Sequence, residues 1–473
     1  MSLEVGVLGK KRGKKQVEGK KSTRNPFKQA GEIFQKGDLW TKVSFFVMGA
    51  SNLYRGQVIK GLLYLSMQLG FLFYMVTAGF AYVSGIKSLG TVQQGKVFNE
   101  ETGIYDVIKG DNSMLFLLYG VASLFIITIF ISVWISNIKS ASKAQELKEA
   151  GKPLPSFFVD VKELFNSNIH KTLLFLPSMG LILFTVLPLT FMILIAFTNF
   201  DSKHQPPGNL FTWFGLSNFK TILLSGEQIG KTFWPVLGWT LIWAVFATFL
   251  NYIFGMLLAM LINKKEVKLK KLWRMIYVLS VAVPLFVSLL SIRLIFAESG
   301  AMNVLLKELG FIETSLPFWT NATWARVTVI IVNLWVGIPH TMLITTGILM
   351  NIPGELYESA KIDGASSTVI FFKITLPYML FVTTPYLITQ FINNINNFNV
   401  IYFLSAGAPL TVEYYKGAGK TDLLVTWLYK LTSENKDYSY ASTIGILIFI
   451  ICATFSLITY RRTASYKNEE GFQ

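Results

Sequence analysis

Long apolar runs separated by short polar joints dominate this chain, with little of the two-sided alternation of a soluble protein. Eight runs reach the roughly 20 residues a helix needs to cross ~30 Å of hydrocarbon. They lie at about 57–83, 114–136, 172–198, 236–262, 275–297, 327–350, 378–404 and 440–460. The pattern predicts an all-α, polytopic membrane protein of about eight transmembrane helices. The first 43 or so residues are polar and basic, so no run is expected to be a cleavable signal segment. An even number of spans places both termini on one side.

Composition agrees with the pattern. Apolar residues make up 52% and charged residues 15% of 473 positions, and the mean hydropathy of +0.47 is far from that of a soluble chain. Charge then sets the orientation. Segment 1–43 carries eleven Lys/Arg against four acids, and the joint 263–274 holds Lys264, Lys265, Lys268, Lys270, Lys271 and Arg274. By the positive-inside rule both are cytoplasmic, and the alternate joints 84–113 and 298–323 carry more acid than base. The net charge of +16 therefore reads as lysines facing anionic lipid and fixing topology, not as a nucleic-acid surface.

The most informative stretch is the cytoplasmic joint at 352–377, between the sixth and seventh runs. It reads as a short polar helix, a glycine break, a second short helix and a proline. Glu355 stands in the first turn after Pro353 and Glu358 one turn on, where the helix dipole favours negative charge. Ala360 and Gly364 are small and one turn apart, so another backbone can approach closely. A structured helical joint between two spans implies a surface built to be gripped by another protein.

Glu358, Ala360, Gly364, Ile374, Leu376 and Pro377 fit the spacing Glu-x-Ala, three residues, Gly, nine residues, Ile-x-Leu-Pro. This resembles the EAA loop of binding-protein-dependent ABC importers, with Ser359 where many members have alanine. The resemblance implies a type I ABC importer permease fold in which Glu355, Glu358, Ala360, Gly364, Leu376 and Pro377 couple to a separate ATPase. It also implies a six-span permease core at 172–462, preceded by a basic tail (1–43), two peripheral spans (44–136) and a cytoplasmic interfacial segment (137–171), and followed by a tail (463–473). Lys, Glu, Pro153 and Pro155 give the 137–171 segment its interfacial character.

The seventh run is unusual in its amides. Gln390, Asn393, Asn394 and Asn397 fall at helical offsets of three, four and seven, and five asparagines occur between 393 and 399. Burying so many amides in hydrocarbon without partners costs several kcal/mol, so they must face something polar. One reading is interhelical glue. The other is a neutral polyhydroxyl ligand, its hydroxyls on the amides and its faces against Phe391, Phe398 and Tyr402.

The region from about Thr172 to Arg462 is similar to the larger permease subunit of maltose and maltodextrin importers (MalF-type). Phe391–Phe398, residues 415–425 and Trp335-Val-Gly337-Ile-Pro-His340 carry the likeness. It implies a sugar site near mid-membrane at Asn393, Asn394, Asn397, Gly337 and His340, with Val336, Val281 and Leu285 as further matching positions. Val281 and His340 stand where a family member has tyrosine, Leu285 where it has serine, and Asn393 where it has phenylalanine. The short joint at 199–235 resembles Gram-positive members, whose binding protein is a lipoprotein.

Other chemistry is poorly supported. Gly417-Ala-Gly419-Lys420-Thr421 looks like the end of a phosphate-binding loop, but Tyr414 occupies the position of the first glycine. His170, His204 and His340 have no metal-ligand spacing, and lone Cys452 reads as a packing residue. Paired carboxylates of the proton-relay kind are missing from the spans. The sequence thus predicts a non-enzymatic permease for oligosaccharides, maltose/maltodextrins first and galacto- or arabino-oligosaccharides as alternatives. It needs no cofactor and no metal. Its expected partners are a second permease, two ATP-binding cassette subunits and an extracellular sugar-binding lipoprotein in the bacterial cell membrane. A secondary transporter or channel is the reading from a different class, and only the ABC reading explains the 352–377 joint.

Overall fold

The computed structural model describes residues 25–100 and 103–462. Most of the basic tail and the segment 463–473 lie outside the described residues. The described residues form two compact units, one within 1–84 and 118–187 and the other within 85–117 and 188–473.

Seven described helices are long and apolar enough to span a membrane, and a bent pair makes an eighth. Three of the expected spans differ in form. The second runs from Ser113 to Glu149, roughly 55 Å at 1.5 Å per residue, so 137–149 of the expected interfacial segment is a continuation of that span. Only Phe157–Phe165 forms a separate short helix there. The fifth is broken: Lys270–Ala282 and Leu285–Ile295 meet at 86°, because Pro284 has no N–H to give and biases Val283 towards extended backbone. The seventh ends at Ile395, and a new short helix, Phe398–Leu404, begins after Asn397.

In the first unit, Gly49 (φ +81°) lies so close to Gly61 that an added Cβ would sit 2.1 Å from the Gly61 carbonyl oxygen. Asn137 clamps the same turn, accepting from Gly49 N at 2.9 Å and donating to the Ser44 carbonyl at 2.8 Å. Arg55 pairs with Asp38 at 2.6 Å.

Among its described residues the second unit is mainly helical, with one antiparallel hairpin, Gly95–Asn99 with Ile104–Ile108, and two isolated bridges, Thr198 with Trp213 and Leu410 with Gly419. Its centre is the helix Gln228–Asn263, which packs against Ala322–Leu349 and Leu376–Ile395. Trp239, Trp243, Leu289, Val329 and Leu404 form one buried cluster along it, and Tyr252, Met256, Ile352 and Met379 another nearer the 352–377 joint. Two spans carry a widened π turn immediately before a Leu-Pro pair, Ile182–Val186 before Leu187-Pro188 and Phe371–Thr375 before Leu376-Pro377. A proline ring collides with the carbonyl four residues earlier, and the wider turn gives it room without ending the helix.

Candidate functional site: a polar cavity and a helical joint

Midway along the central helices lies a cavity of about 230 Å³. Its wall takes Thr248, Asn251 and Tyr252 from Gln228–Asn263, Asn333, Gly337, His340 and Thr341 from Ala322–Leu349, and Tyr386, Gln390 and Asn394 from Ser367–Ile395. Asn397 and Asn399 complete it from the turn where the seventh span breaks. Six of these side chains are amides, and the lining contains no Asp, Glu, Lys or Arg. Four of the five residues expected at a sugar site therefore come together: Gly337, His340, Asn394 and Asn397. Asn393 is exposed and lies off the cavity wall.

Each of the four has a distinct local reason to be there. Asn394 donates to Thr248 Oγ1 at 3.0 Å, and its carbonyl accepts from Trp243 Nε1 at 3.1 Å. Asn397 does not sit on the same helix face as Gln390 and Asn394. It is the N-cap of Phe398–Leu404, accepting from Val400 N at 3.2 Å, while its amide donates to Asn394 Oδ1 at 3.4 Å. Gly337 gives space: a Cβ there would stand 2.2 Å from Asn251 Nδ2. His340 is exposed on the wall.

Wall residues that the sequence did not point to include Asn251 and Asn333, with Tyr252 and Tyr386 beside them. Asn251 Oδ1 and Asn333 Nδ2 are buried without a hydrogen-bond partner, although Asn251 Nδ2 donates to Ala247 O at 2.8 Å. Such orphaned groups are rare in native proteins because each forfeits its hydration. Both asparagines were visible in the sequence as isolated amides within apolar runs, but nothing there says that they face one another's helices.

The 352–377 joint has its expected first helix and glycine break. Gly354–Ile362 begins after Pro353 with Glu355 in its first turn, and Glu355, Glu358, Gly364 and Pro377 are exposed while Ala360 and Leu376 are half-buried. Gly364 takes φ +77°, and Ala365 N closes the helix by donating to Ala360 O at 2.9 Å. This is the left-handed C-terminal stop that glycine makes cheaply. The second short helix is not separate, since Ser367–Ile370 runs through the π turn into the seventh span. Tyr357 holds the joint to the span, its hydroxyl 3.1 Å from Thr375 Oγ1. Ile362 (86% exposed), Phe372 and Leu356 present apolar surface outward, as a docking face does.

The Gly417–Thr421 segment is a locked turn. Lys430, buried, donates to the carbonyls of Ala406 and Gly417 at 2.9 and 3.2 Å and to Asp422 at 2.7 Å. Asp422 also accepts from Gly419 N and Thr426 Oγ1. Burial pushes the Asp422 carboxyl above its usual range, against the pull of Lys430. Lys420 is spent on Glu413 at 3.1 Å.

Residues 251–464 match the family of binding-protein-dependent transport system inner membrane components. The maltodextrin transport system permease protein MdxF of Bacillus subtilis (strain 168) is 34% identical over 432 residues, which is 90% of this chain and 95% of that one. The chain belongs to this family. A second family member, the galactooligosaccharides transport system permease protein GanP of the same organism, is also 34% identical, over 89% of this chain and 97% of its own. The crystal structure of a bacterial ABC transporter involved in the import of the acidic polysaccharide alginate matches with a TM-score of 0.50 at 22% identity, covering 64% of this chain and 97% of that one. That likeness concerns the fold alone. As a family member, the chain is a multi-pass permease subunit of an ABC importer.

Proposed function

We propose that this permease passes neutral oligosaccharides, maltose/maltodextrins first, through the cavity at Asn394, Asn397, Gly337 and His340. The observation that carries the reading is the composition of the wall: six amides, two tyrosines and a histidine with no formal charge. Amides give both donors and acceptors and so match hydroxyls, which do the same. An ion would call for charge in the wall, and a purely apolar ligand would leave the amides unmatched. The names of its relatives point to sugars. Maltodextrin and galactooligosaccharide permeases match equally well, so galacto-oligosaccharides are the second reading.

Energy comes from a partner. We place ATP hydrolysis in two separate cassette subunits gripping Glu355, Glu358, Ala360, Gly364, Leu376 and Pro377. The exposed apolar residues of the joint support this docking, and Tyr357 passes the push into the seventh span, whose far end carries Gln390 and Asn394. A second permease completes the passage, an extracellular sugar-binding lipoprotein delivers the ligand, and alternating access follows from the swing of the spans. Both termini are cytoplasmic on this reading, 172–462 is the permease core, and the two preceding spans are peripheral. Asn393, off the wall, joins the site only if the second permease brings sugar to its side. Uptake of labelled malto- and galacto-oligosaccharides by the reconstituted assembly tests the proposal. Selective loss in Asn394→Ala with ATPase subunits still bound is the expected result, and failure to transport any neutral sugar refutes it.

A further inference from the structure

Within the first unit, where the first span begins, lies a cavity of about 450 Å³. Two helix starts meet there. Val58–Tyr74 brings Val58, Ile59 and Lys60 to the wall, and Phe157–Phe165 brings Phe157 and Phe158. Gln57 ties the two starts together, donating through Nε2 to the Pro155 carbonyl at 2.8 Å. The first N–H groups of a helix have no partner within it, and neither start is capped by a side chain. Uncapped helix starts of this kind favour an anion. A second observation points the same way. Arg55 lines the cavity and is 8% exposed, and its terminal nitrogens are used on Asp38, Thr41 and Ser51, while its Nε is buried with no partner. A buried donor on a charged group is costly to leave unmade. Charge then narrows the ligand. Asp38 balances Arg55 at 2.6 Å and Asp160 balances Lys60 at 2.8 Å, so the surplus is the two helix starts, roughly half a positive charge each. That suits a singly charged phosphodiester better than free phosphate, which carries roughly 1.5–2 negative charges as a monoester does. The edge of the cavity suits lipid: Val58, Ile59 and Phe158 are exposed apolar side chains, and the end of a spanning helix lies at headgroup depth.

We propose that this cavity holds the phosphodiester of an anionic phospholipid, whose acyl chains run over Val58, Ile59 and Phe158. The two helix starts and Arg55 hold the phosphate oxygens, and Lys60 shares its charge between Asp160 and the lipid. The bound lipid pins the start of the first span to the short helix Phe157–Phe165. This site lies apart from the amide cavity and does not depend on which sugar passes there.

The test is native mass spectrometry of the purified complete assembly, titrated with dioleoyl phosphatidylglycerol, dioleoyl phosphatidylcholine and inorganic phosphate. The assembly should retain phosphatidylglycerol in preference to phosphatidylcholine, and excess inorganic phosphate should not displace it. Lys60→Gln should weaken that binding about 5-fold, which corresponds to about 1 kcal/mol for one lysine beside an anionic headgroup. Ser156 stands at the uncapped start of Phe157–Phe165 and lines the cavity. Ser156→Asp sets a carboxylate there that caps the helix and takes the anion's place, so it should weaken lipid binding at least as much while the melting temperature holds or rises. Where Lys60→Gln fails to assemble, Ser156→Asp carries the comparison alone. Equal retention of the two lipids, or phosphatidylglycerol binding unchanged in the variants, overturns the proposal. Displacement of the lipid by inorganic phosphate overturns the lipid as occupant and makes the cavity a site for soluble phosphate.

Discussion

Replacing Asn333 by leucine should raise stability and lower transport together. Asn333 is 4% exposed, its Nδ2 has no partner, and it lines the amide cavity. A buried donor left unmade costs about 1–3 kcal/mol. Leucine has the same branching and number of side-chain heavy atoms, is bulkier and carries no polar atom, so Asn333→Leu removes that cost without opening a void, its extra bulk entering the adjoining cavity. A gain of this size raises the melting temperature by about 1–4 °C, the lower end applying to a chain of this length. In transport the same donor is the group waiting for a sugar hydroxyl. Losing one such bond, net about 0.5–1.5 kcal/mol, lowers uptake roughly 2- to 12-fold. The assay pairs a thermal melt of the purified assembly in nanodiscs with uptake by proteoliposomes from the same preparation. If the melting temperature falls in step with uptake, Asn333 joins helices and binds no ligand, and the reasoning from its unpaired amide is refuted.

Gly364→Asn should keep sugar-stimulated ATP hydrolysis while Gly364→Ala weakens it. An added Cβ there meets nothing within 4 Å, so the cost is the left-handed backbone, about 1–2 kcal/mol for an ordinary residue and less for asparagine; equal losses would show that a docked partner needs the space instead. Asn397→Ala forfeits the cap on Phe398–Leu404, about 0.5–2 kcal/mol, as well as uptake, whereas Asn397→Ser should restore the melting temperature and leave uptake low. Recovery of both would make Asn397 a cap only. Lys430→Met strands a buried Asp422 and should cost about 3–5 kcal/mol, largely recovered in Lys430→Met/Asp422→Leu, as read by thermal melts; no recovery would deny the pair its role. Asp111 accepts from Thr91 N and Val92 N at 2.7 and 3.0 Å, and these backbone bonds hold its carboxyl below its ordinary 3.8. A lowered folded value means that its contribution is fully present above pH 3.8 and lost as pH falls through the lower folded value. Faster amide exchange at Thr91 and Val92 below that pH, mimicked near neutrality by Asp111→Asn, is expected, and an unchanged loop in Asp111→Asn would contradict it.

Composition and spacing alone determined that the chain is helical and membrane-spanning, because hydrocarbon demands long apolar runs wherever they fall in the fold. Local chemistry also determined the joint at 352–377: proline starts its first helix, Glu355 suits the helix start, and Gly364 supplies the left-handed stop, all within one stretch of chain. The apolar run at 275–297 reads as one span and does not reveal the break in the fifth span, whose local cause is Pro284. Tertiary structure decided the cavity. The offsets linking Gln390, Asn394 and Asn397 assumed one continuous helix, yet the backbone turns at Asn396, and Asn397 reaches the wall as the cap of the next helix. Asn251 and Asn333 lie 82 positions apart, on two helices whose crossing depends on Gly337 leaving room for the Asn251 amide. Helical periodicity orders side chains within one element. Which faces meet across elements depends on close approach between distant residues, and no local pattern records that.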